Sequence, residues 1–321
     1  MTTDFQIGIC FNPIAGDGVN FKKSNSNDQT KFQYYYENIC VAFTSLRIFN
    51  PDVSLVLFTT GKVPEIYSEK LSLINVEIKN VKANFIFPKD KTNKFLGSLF
   101  ILDCIINQTR NTLYLDPDVI CLSSLNSLRL TDNDIIVFEA QDFAENEDSL
   151  KKISAFLSEH SNLQINKMKY FGGEFFFIPQ NRLDEIKCNI ERIWNSNLLV
   201  LHSNGNHLQT EEHFLTLALH NLRSVESTES INRLWTTRSY RKIPKDYDKL
   251  TLIHLPAEKD QGISKLFRII YLQQAEPNLE IFSSQNRKKL FKVLNISKNF
   301  AGTMKYQLFK LMKSLIYRTG L

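Results

Sequence analysis

The sequence predicts an α/β fold: a mixed, mostly parallel sheet flanked by helices, followed by a basic amphipathic helical tail. Three observations carry that prediction. Apolar runs of strand length alternate with segments of helical spacing over the first 255 residues, the pattern of βαβ units. Of the 321 residues, 43% are hydrophobic and 12% aromatic, enough to bury a large core. From Ile281 onward there are nine Lys/Arg and no Asp/Glu, so a net charge of +5 resolves into −4 for the body (5 − 9 = −4) and a strongly basic end. The division expected is one domain over 1–280 and a helical tail over 281–321.

QIGICFN (6–12) and DVSLVLFTT (52–60) read as buried strands. A polar loop (12–30) and a helix near 31–49, with Phe32, Tyr36, Ile39 and Phe43 on one face, lie between them. VEIKNV (76–81) is a short strand, and KFLGSLFILDCIINQT (94–109) has helical spacing at Leu96, Phe100, Leu102 and Ile106. NTLYLDPDVICL (111–122) and DIIVFEA (134–140) are strands, and the acidic 142–152 between later elements reads as a mobile segment. KYFGGEFFFIP (169–179) is a strand interrupted by glycines, followed by helices near 181–197 and 210–222 and a last strand, TLIHL (251–255). In open α/β sheets ligands bind outside the carboxyl ends of strands. The unusual residues gather at those ends: Asn12, Asp116 and Asp118, Gly172 to Glu174, and His254 to Lys259.

No apolar run approaches the roughly 18 residues of a membrane span. The N-terminus carries Asp4 and no basic region, so its short apolar run reads as a strand and not a signal peptide. Five cysteines (10, 40, 104, 121, 188) lack paired or Cys-x-x-Cys spacing, which excludes a zinc finger and points to reduced thiols and a cytosolic location.

The chemistry-bearing residues follow from type and spacing. In an extended segment, residues i and i+2 share a face, so Asp116 and Asp118 can converge, stiffened by Pro117. Two hard oxygen donors suit Mg²⁺ or Mn²⁺, and a solvent-facing turn explains the same letters. Gly172-Gly173 inside a strand marks a bulge or a close backbone approach, with Glu174 facing either side. Glu211 and Glu212 open a helix behind Thr210, a good N-cap residue, where acids also suit the helix dipole. His254 ends an apolar run, and Lys259 lies five residues on, where an imidazole can ligate Mn²⁺ and an ammonium can meet phosphate. The tail places Met304, Leu308, Leu311, Met312 and Leu315 on one side of a helical wheel. Lys310, Lys313 and Arg318 lie off it, as in helices that rest on anionic membranes or pack with a solvated basic face.

Taken in order, LYLDPDVI, FGGEFFFI, TEEHFLTLAL and LIHLPAEKD resemble the GT-A glycosyltransferases. The likeness is greatest to bacterial capsule, O-antigen and lipooligosaccharide transferases and to glycogenin-like hexosyltransferases, and it covers roughly residues 5 to 265. It implies that Asp116 and Asp118 of the D-x-D motif, with His254, hold Mn²⁺ (or Mg²⁺) against the diphosphate of a nucleotide sugar. Lys259 neutralises the leaving diphosphate, Lys94 and Asn12 contact the donor, and Gly172, Gly173 and Glu174 line the sugar pocket. Residues 1–140 would bind donor and 141–265 acceptor, with Glu211 or Glu212 as the base in an inverting reaction. The glycogenin-like closing segment reads His-x-x-Gly-x-x-Lys-Pro-Trp, whereas this chain has His-Leu-Pro-Ala-Glu-Lys-Asp.

The function expected is divalent-metal-dependent transfer of a hexose from a nucleotide diphosphate sugar to a surface-glycan or lipid-linked acceptor. The tail would hold the enzyme to the inner face of the cell membrane, and the tail's charge without a binding motif does not point to nucleic acid. Two other readings stay open. A sugar nucleotidyltransferase expects a Gly-rich basic loop after the first strand, for which GDGVNFKK is a weak match. A non-catalytic glycan- or membrane-binding protein on a degenerate transferase fold expects weak metal and nucleotide-sugar binding.

Overall fold

In a computed structural model of the chain, residues 4–13, 28–88, 97–140, 143–160, 169–203, 205–220, 222, 224–227, 229–237, 241–272 and 276–296 are described. The elements in chain order are β1 (Gln6–Phe11), α1 (Asp28–Phe49), β2 (Ser54–Thr59), α2 (Glu65–Leu73), β3 (Val76–Asn80), α3 (Phe100–Ile106), β4 (Thr112–Leu115) and β5 (Val119–Cys121). Then come β6 (Ile135–Glu139), α4 (Phe143–His160), β7 (Phe171–Ile178), α5 (Leu183–His202), α6 (Glu211–Leu219), β8 (Ser224–Glu226), β9 (Ile231–Arg233) and β10 (Trp235–Thr236). Last are β11 (Arg241–Lys242), β12 (Leu252–His254), α7 (Gly262–Tyr271) and α8 (Arg287–Val293).

Contacts divide these elements into two units. The first holds a seven-stranded sheet of order β3-β2-β1-β4-β7-β6-β8. Pairings β1–β2, β2–β3, β1–β4 and β6–β8 are parallel, and only β7 runs antiparallel to both its neighbours, so the sheet is mixed and mostly parallel. All eight residues of β7 are buried, which explains why FGGEFFFI reads as a continuous apolar run without alternation. Tyr114 of β4 stacks on Phe176 of β7, with centroids 4.9 Å apart. Its hydroxyl donates to Gln108 Oε1 at 2.9 Å, so the ring is buried without leaving a polar atom unpaired.

The second unit contains α1, the three-stranded sheet β5-β12-β9, the β10–β11 ribbon, α7 and α8. Helix α1 is buried all round from Tyr36 to Leu46, not along one stripe as predicted, and Phe32 is only half-buried. Its polar residues are tolerated there because each finds a partner within the unit. Thr44 and Tyr271 share a hydroxyl hydrogen bond of 2.5 Å, and Cys121 N donates to Ser45 Oγ at 2.9 Å. Asn38, with its amide nitrogen turned towards carbonyls, donates to Lys259 O at 3.0 Å and Tyr34 O at 3.2 Å.

Several expectations shift. The acidic stretch is not a loose segment: residues 143–152 belong to α4. The helix expected over 94–109 is described only from Phe100 to Ile106. TLIHL does not join the main sheet: β12 pairs antiparallel with β5 and parallel with β9. Among the described residues no helix is long and apolar enough to cross a membrane. All five cysteines are free, with 40, 104 and 121 buried. The predicted tail helix lies outside the described residues apart from α8 and its flanks.

Candidate active site

One group of candidate residues lies in the second unit. Asp118 immediately precedes β5, and β12 runs back beside it with His254 opposite Val119. Leu255 N donates to Asp118 O at 3.1 Å, so the ladder fixes the aspartate beside the end of β12. His254 Nε2 lies 3.2 Å from Asp118 Oδ2, and Lys259 Nζ lies 2.9 Å from the same oxygen. Burial alone would raise the Asp118 carboxyl, but Lys259 first and His254 second overcome it and hold the group well below the usual carboxylate range. The carboxylate is fully buried, and neither of its oxygens accepts a hydrogen bond of good geometry: it rests on charge.

Lys259 is placed from behind by Asn38 on its carbonyl and by the neighbouring Glu258, which is fully buried. Glu258 accepts a short hydrogen bond from Thr236 Oγ1, one of 2.6 Å from Asn295 Nδ2 and one of 3.1 Å from Gly262 N. Sequence reasoning passed over Glu258 because its side-chain partners lie far along the chain.

The first unit carries the other acids. Asp116 follows β4, and its N–H donates to Glu174 O at 3.2 Å, which extends the β4–β7 ladder by one rung. Between β6 and β7 the register shifts: Val137 faces Phe176, but Glu139 faces Phe171, so Gly172 to Phe175 form the irregular stretch of β7. The glycines there make room for carboxylates. A Cβ on Gly172 would collide with the Glu174 carboxylate folded over it. A Cβ on Gly173 would sit 3.1 Å from Glu211 Oε1 and 3.5 Å from Glu212 Cγ. The two motifs FGGE and TEEH are thus one packed feature, a link the separate stretches of sequence do not reveal.

Glu212 is held by Tyr170, whose hydroxyl donates to Oε2 at 2.6 Å, and by Gly173 N at 3.4 Å to Oε1. Glu211 is pushed up to about 8, first by burial, then by the Glu212 charge, with Asp116 adding to it; a hydrogen bond from Ser98 opposes the shift. Thr210 occupies the N-cap position, but its hydroxyl makes no capping bond, contrary to expectation. Instead His213, three residues into the helix, accepts from Gln209 N at 3.2 Å through Nδ1. Burial, with Lys152 adding to it, lowers that imidazole to about 4, so it stays neutral and free to accept. Asn12 follows β1 and accepts from Thr60 Oγ1 at 2.6 Å just past β2. Lys94 lies outside the described residues.

No protein-family model and no curated protein matches the sequence. Solved structures do. The galactosyltransferase LgtC in complex with donor and acceptor sugar analogues aligns at TM-score 0.51 and 13% identity, over 94% of this chain and 99% of that one. An active-site mutant of LgtC aligns at TM-score 0.50 and 15% identity, over 78% of this chain and 86% of that one. The fold is GT-A.

A GT-A fold does not by itself assign a reaction, so the donor set has to be tested on its own chemistry. Pro117 alone separates Asp116 from Asp118, and the β5–β12 ladder brings His254 to Asp118. Asp118 and His254, both in the second unit, can each offer a ligand atom: His254 Nε2 lies 3.2 Å from Asp118 Oδ2, within the roughly 4.2 Å that separates two ligands of one ion. Two carboxylates and one imidazole fit Mn²⁺ or Mg²⁺. The buried Asp118 carboxylate, whose two oxygens accept no hydrogen bond of good geometry and are faced by an imidazole, is the observation that makes the fit physical. Within the GT-A frame, Tyr170, Ser98 and Glu258 are the residues sequence reasoning missed. Tyr170 and Ser98 each reach a candidate glutamate through folding alone, whereas Glu258 adjoins Lys259 in the chain.

Proposed function

We propose that the chain is a glycosyltransferase that moves a hexose from a nucleotide diphosphate sugar to a surface-glycan or lipid-linked acceptor, with Mn²⁺ or Mg²⁺ held by Asp116, Asp118 and His254. The observation that carries this reading is the buried Asp118 carboxylate, ionised and faced by an imidazole and an ammonium. A bound divalent ion would supply Lewis-acid stabilisation of the charge developing on the departing diphosphate. Lys259 would add a point charge to the same oxygens once released from Asp118. Asn12, Lys94 and the backbone of Gly172 and Gly173 would contact the donor, with Glu174 filling the space behind the glycines. The part up to about 140 would serve the donor, and 141–265 the acceptor. Glu211, whose proton affinity is matched to mildly alkaline pH, would take the proton of the attacking hydroxyl.

One observation favours a second reading. Lys259 already neutralises Asp118 at 2.9 Å, so the lysine can stand where a cation would and the transfer can run without metal. A thermal-shift panel of UDP, GDP, CDP and ADP, each with Mn²⁺ and with EDTA, separates the two. The expected result is a shift for one nucleotide with Mn²⁺ that is lost with EDTA and in Asp118→Ala. At 100 Kd of nucleotide that binding adds about 2.7 kcal/mol to the native state. An equal shift in EDTA supports the metal-free reading. No shift with any nucleotide overturns the transferase reading in favour of a binding module.

The basic segment from 281 would bring the enzyme to the inner face of the cell membrane, where a lipid-linked acceptor is found. Its support is charge: nine Lys/Arg without an acid, with an apolar side on the helical wheel. Deleting residues from about 300 onward is expected to leave turnover with a soluble acceptor intact and to reduce co-sedimentation with anionic vesicles. Unchanged sedimentation would make the segment structural.

A further inference from the structure

We infer that Glu258 is a positioning residue for Lys259: it locks the loop after β12 so that the ammonium is held at the Asp118 carboxylate and available to a diphosphate. This rests on the transferase reading above and goes beyond it, because Glu258 touches neither Asp118 nor any expected ligand.

Glu258 lies next to Lys259 in the chain and is fully buried, a costly place for an acid unless its oxygens are satisfied. Its oxygens are met from three separate stretches of chain. Thr236 Oγ1 of β10 donates to Oε1, and Gly262 N, at the start of α7, donates to Oε2 at 3.1 Å. Asn295 Nδ2, just past α8, donates to Oε2 at 2.6 Å. Gly262 is required for this closeness: a Cβ there would lie 2.7 Å from Glu258 Oε2 and 3.0 Å from Leu294 Cα. The backbone of the same residue closes the loop. Glu258 N donates to Leu255 O at 3.0 Å, and its carbonyl accepts from Gln261 N at 3.2 Å and Ile263 N at 3.0 Å.

Asn295 is held in turn. It has φ of 57°, ends α8 in the left-handed conformation, and accepts through its carbonyl from Arg241 Nη2 at 2.8 Å. The short β10–β11 ribbon, the start of α7 and the end of α8 therefore converge on one carboxylate, and the residue after it is the lysine. A lysine on an open loop would spread over many rotamers, and the entropy of ordering it would be charged against each ligand it binds. Here the loop backbone is fixed before the ligand arrives. Asn38 fixes it from the other side by donating to the Lys259 carbonyl.

A double-mutant cycle tests this. The full-length chain is titrated, with Mn²⁺ present, with whichever of UDP, GDP, CDP or ADP shifts the wild type most. Glu258→Gln keeps the side-chain volume but removes the charge and one of the two acceptor oxygens that Thr236, Gly262 and Asn295 meet. It is expected to weaken binding about tenfold in the wild-type background and less than about twofold in a Lys259→Ala background, the non-additivity of residues acting through one another. A purely structural role would cost the same in both backgrounds, and that result overturns the inference, as does unchanged binding in Glu258→Gln. If Glu258→Gln does not fold, Asn295→Gly decides. It keeps the left-handed turn, deletes one donor to Glu258, and should weaken binding about threefold only when Lys259 is present. If the wild type binds none of the four nucleotides, the transferase reading itself fails and the inference falls with it. That outcome is distinguishable from the others.

Discussion

Asp118→Asn is expected to abolish metal-dependent turnover of the donor, a loss of at least about 10²-fold, and to destabilise the native state by about 3 kcal/mol. The second effect separates this residue from an ordinary ligand. A solvent-facing metal ligand can be neutralised with little loss of stability, because its own charge repulsion is relieved. Asp118 is different: it is buried, and Lys259 and His254 both lie on its Oδ2. Asparagine would leave the ammonium facing an amide. The loss stands at the lower end of the range for breaking a buried ion pair because Lys259 retains some exposure, 13% of its side chain. The fold should survive, since the β5–β12 ladder uses the Asp118 carbonyl and not its side chain. The pH dependence follows from the depressed carboxyl. Its contribution is present above the unfolded value of 3.8 and is lost as pH falls below that towards the folded value. Urea melts at pH 7 and at pH 3 should therefore show the wild type losing part of its advantage over Asp118→Asn in acid, with the larger part persisting at pH 3 because the folded carboxyl is still ionised there. Normal turnover in the variant would remove the metal-site assignment, and an equal gap at both pH values would remove the ion-pair account.

Much of this arrangement was legible in the sequence because it is local. Asp-Pro-Asp after an apolar run is a short-range pattern, but the expected single strand over 111–122 is two. β4 ends at Leu115, the chain turns at Pro117 and Asp118, and β5 starts at Val119, so i,i+2 strand spacing does not set the geometry of the pair. The mostly parallel sheet was legible from the alternation of strand-length and helix-length apolar runs. Other features were not, for identifiable reasons. Helix α4 begins with so many acids that its apolar side is sparse, so composition suggested a mobile segment where a helix stands. The sequence shows the strand ending in His254 but not which sheet it joins, because a strand of three residues carries no signal of its partner. Its partners, β5 and β9, are equally short. The glycines at 172 and 173 read as a bulge or a close backbone approach, and the register does shift there, but the sequence does not show that Glu174 and Glu211 and Glu212 of α6 pack beside them. Nothing near residue 173 announces that helix 211–219 packs there. Glu258 shows the same limit most plainly. Its role is made by Thr236 and Asn295, and only tertiary structure brings those together.

Glu211→Gln is expected to lower turnover by about 10²- to 10⁴-fold while raising stability at neutral and alkaline pH, a pairing of opposite signs. The activity side follows from the proposed role as proton acceptor. With the carboxyl at about 8, kcat/KM of the wild type should rise with pH and level off above that value, because only the ionised form can accept the proton. A flat profile, or an active glutamine variant, would exclude Glu211 as the base and leave Glu212 or no protein base. The stability side follows from linkage. The folded carboxyl titrates above its ordinary value of 4.5, so between 4.5 and about 8 the unfolded chain releases the proton while the folded chain retains it. Native stability therefore falls as pH rises through that window, and above about 8 the full cost of an ionised Glu211 beside Glu212 and Asp116 is present. Glutamine carries no such cost and fits the same space over Gly173. The variant should gain about 1–3 kcal/mol over the wild type at pH 8.5, a figure kept small because the residue is half-buried, and almost nothing at pH 4. Adding Mn²⁺ should shrink that gain, since a cation on Asp116 cancels one of the charges that hold the proton on Glu211. A gain independent of both pH and Mn²⁺ would mean that packing, not charge, sets the behaviour of Glu211.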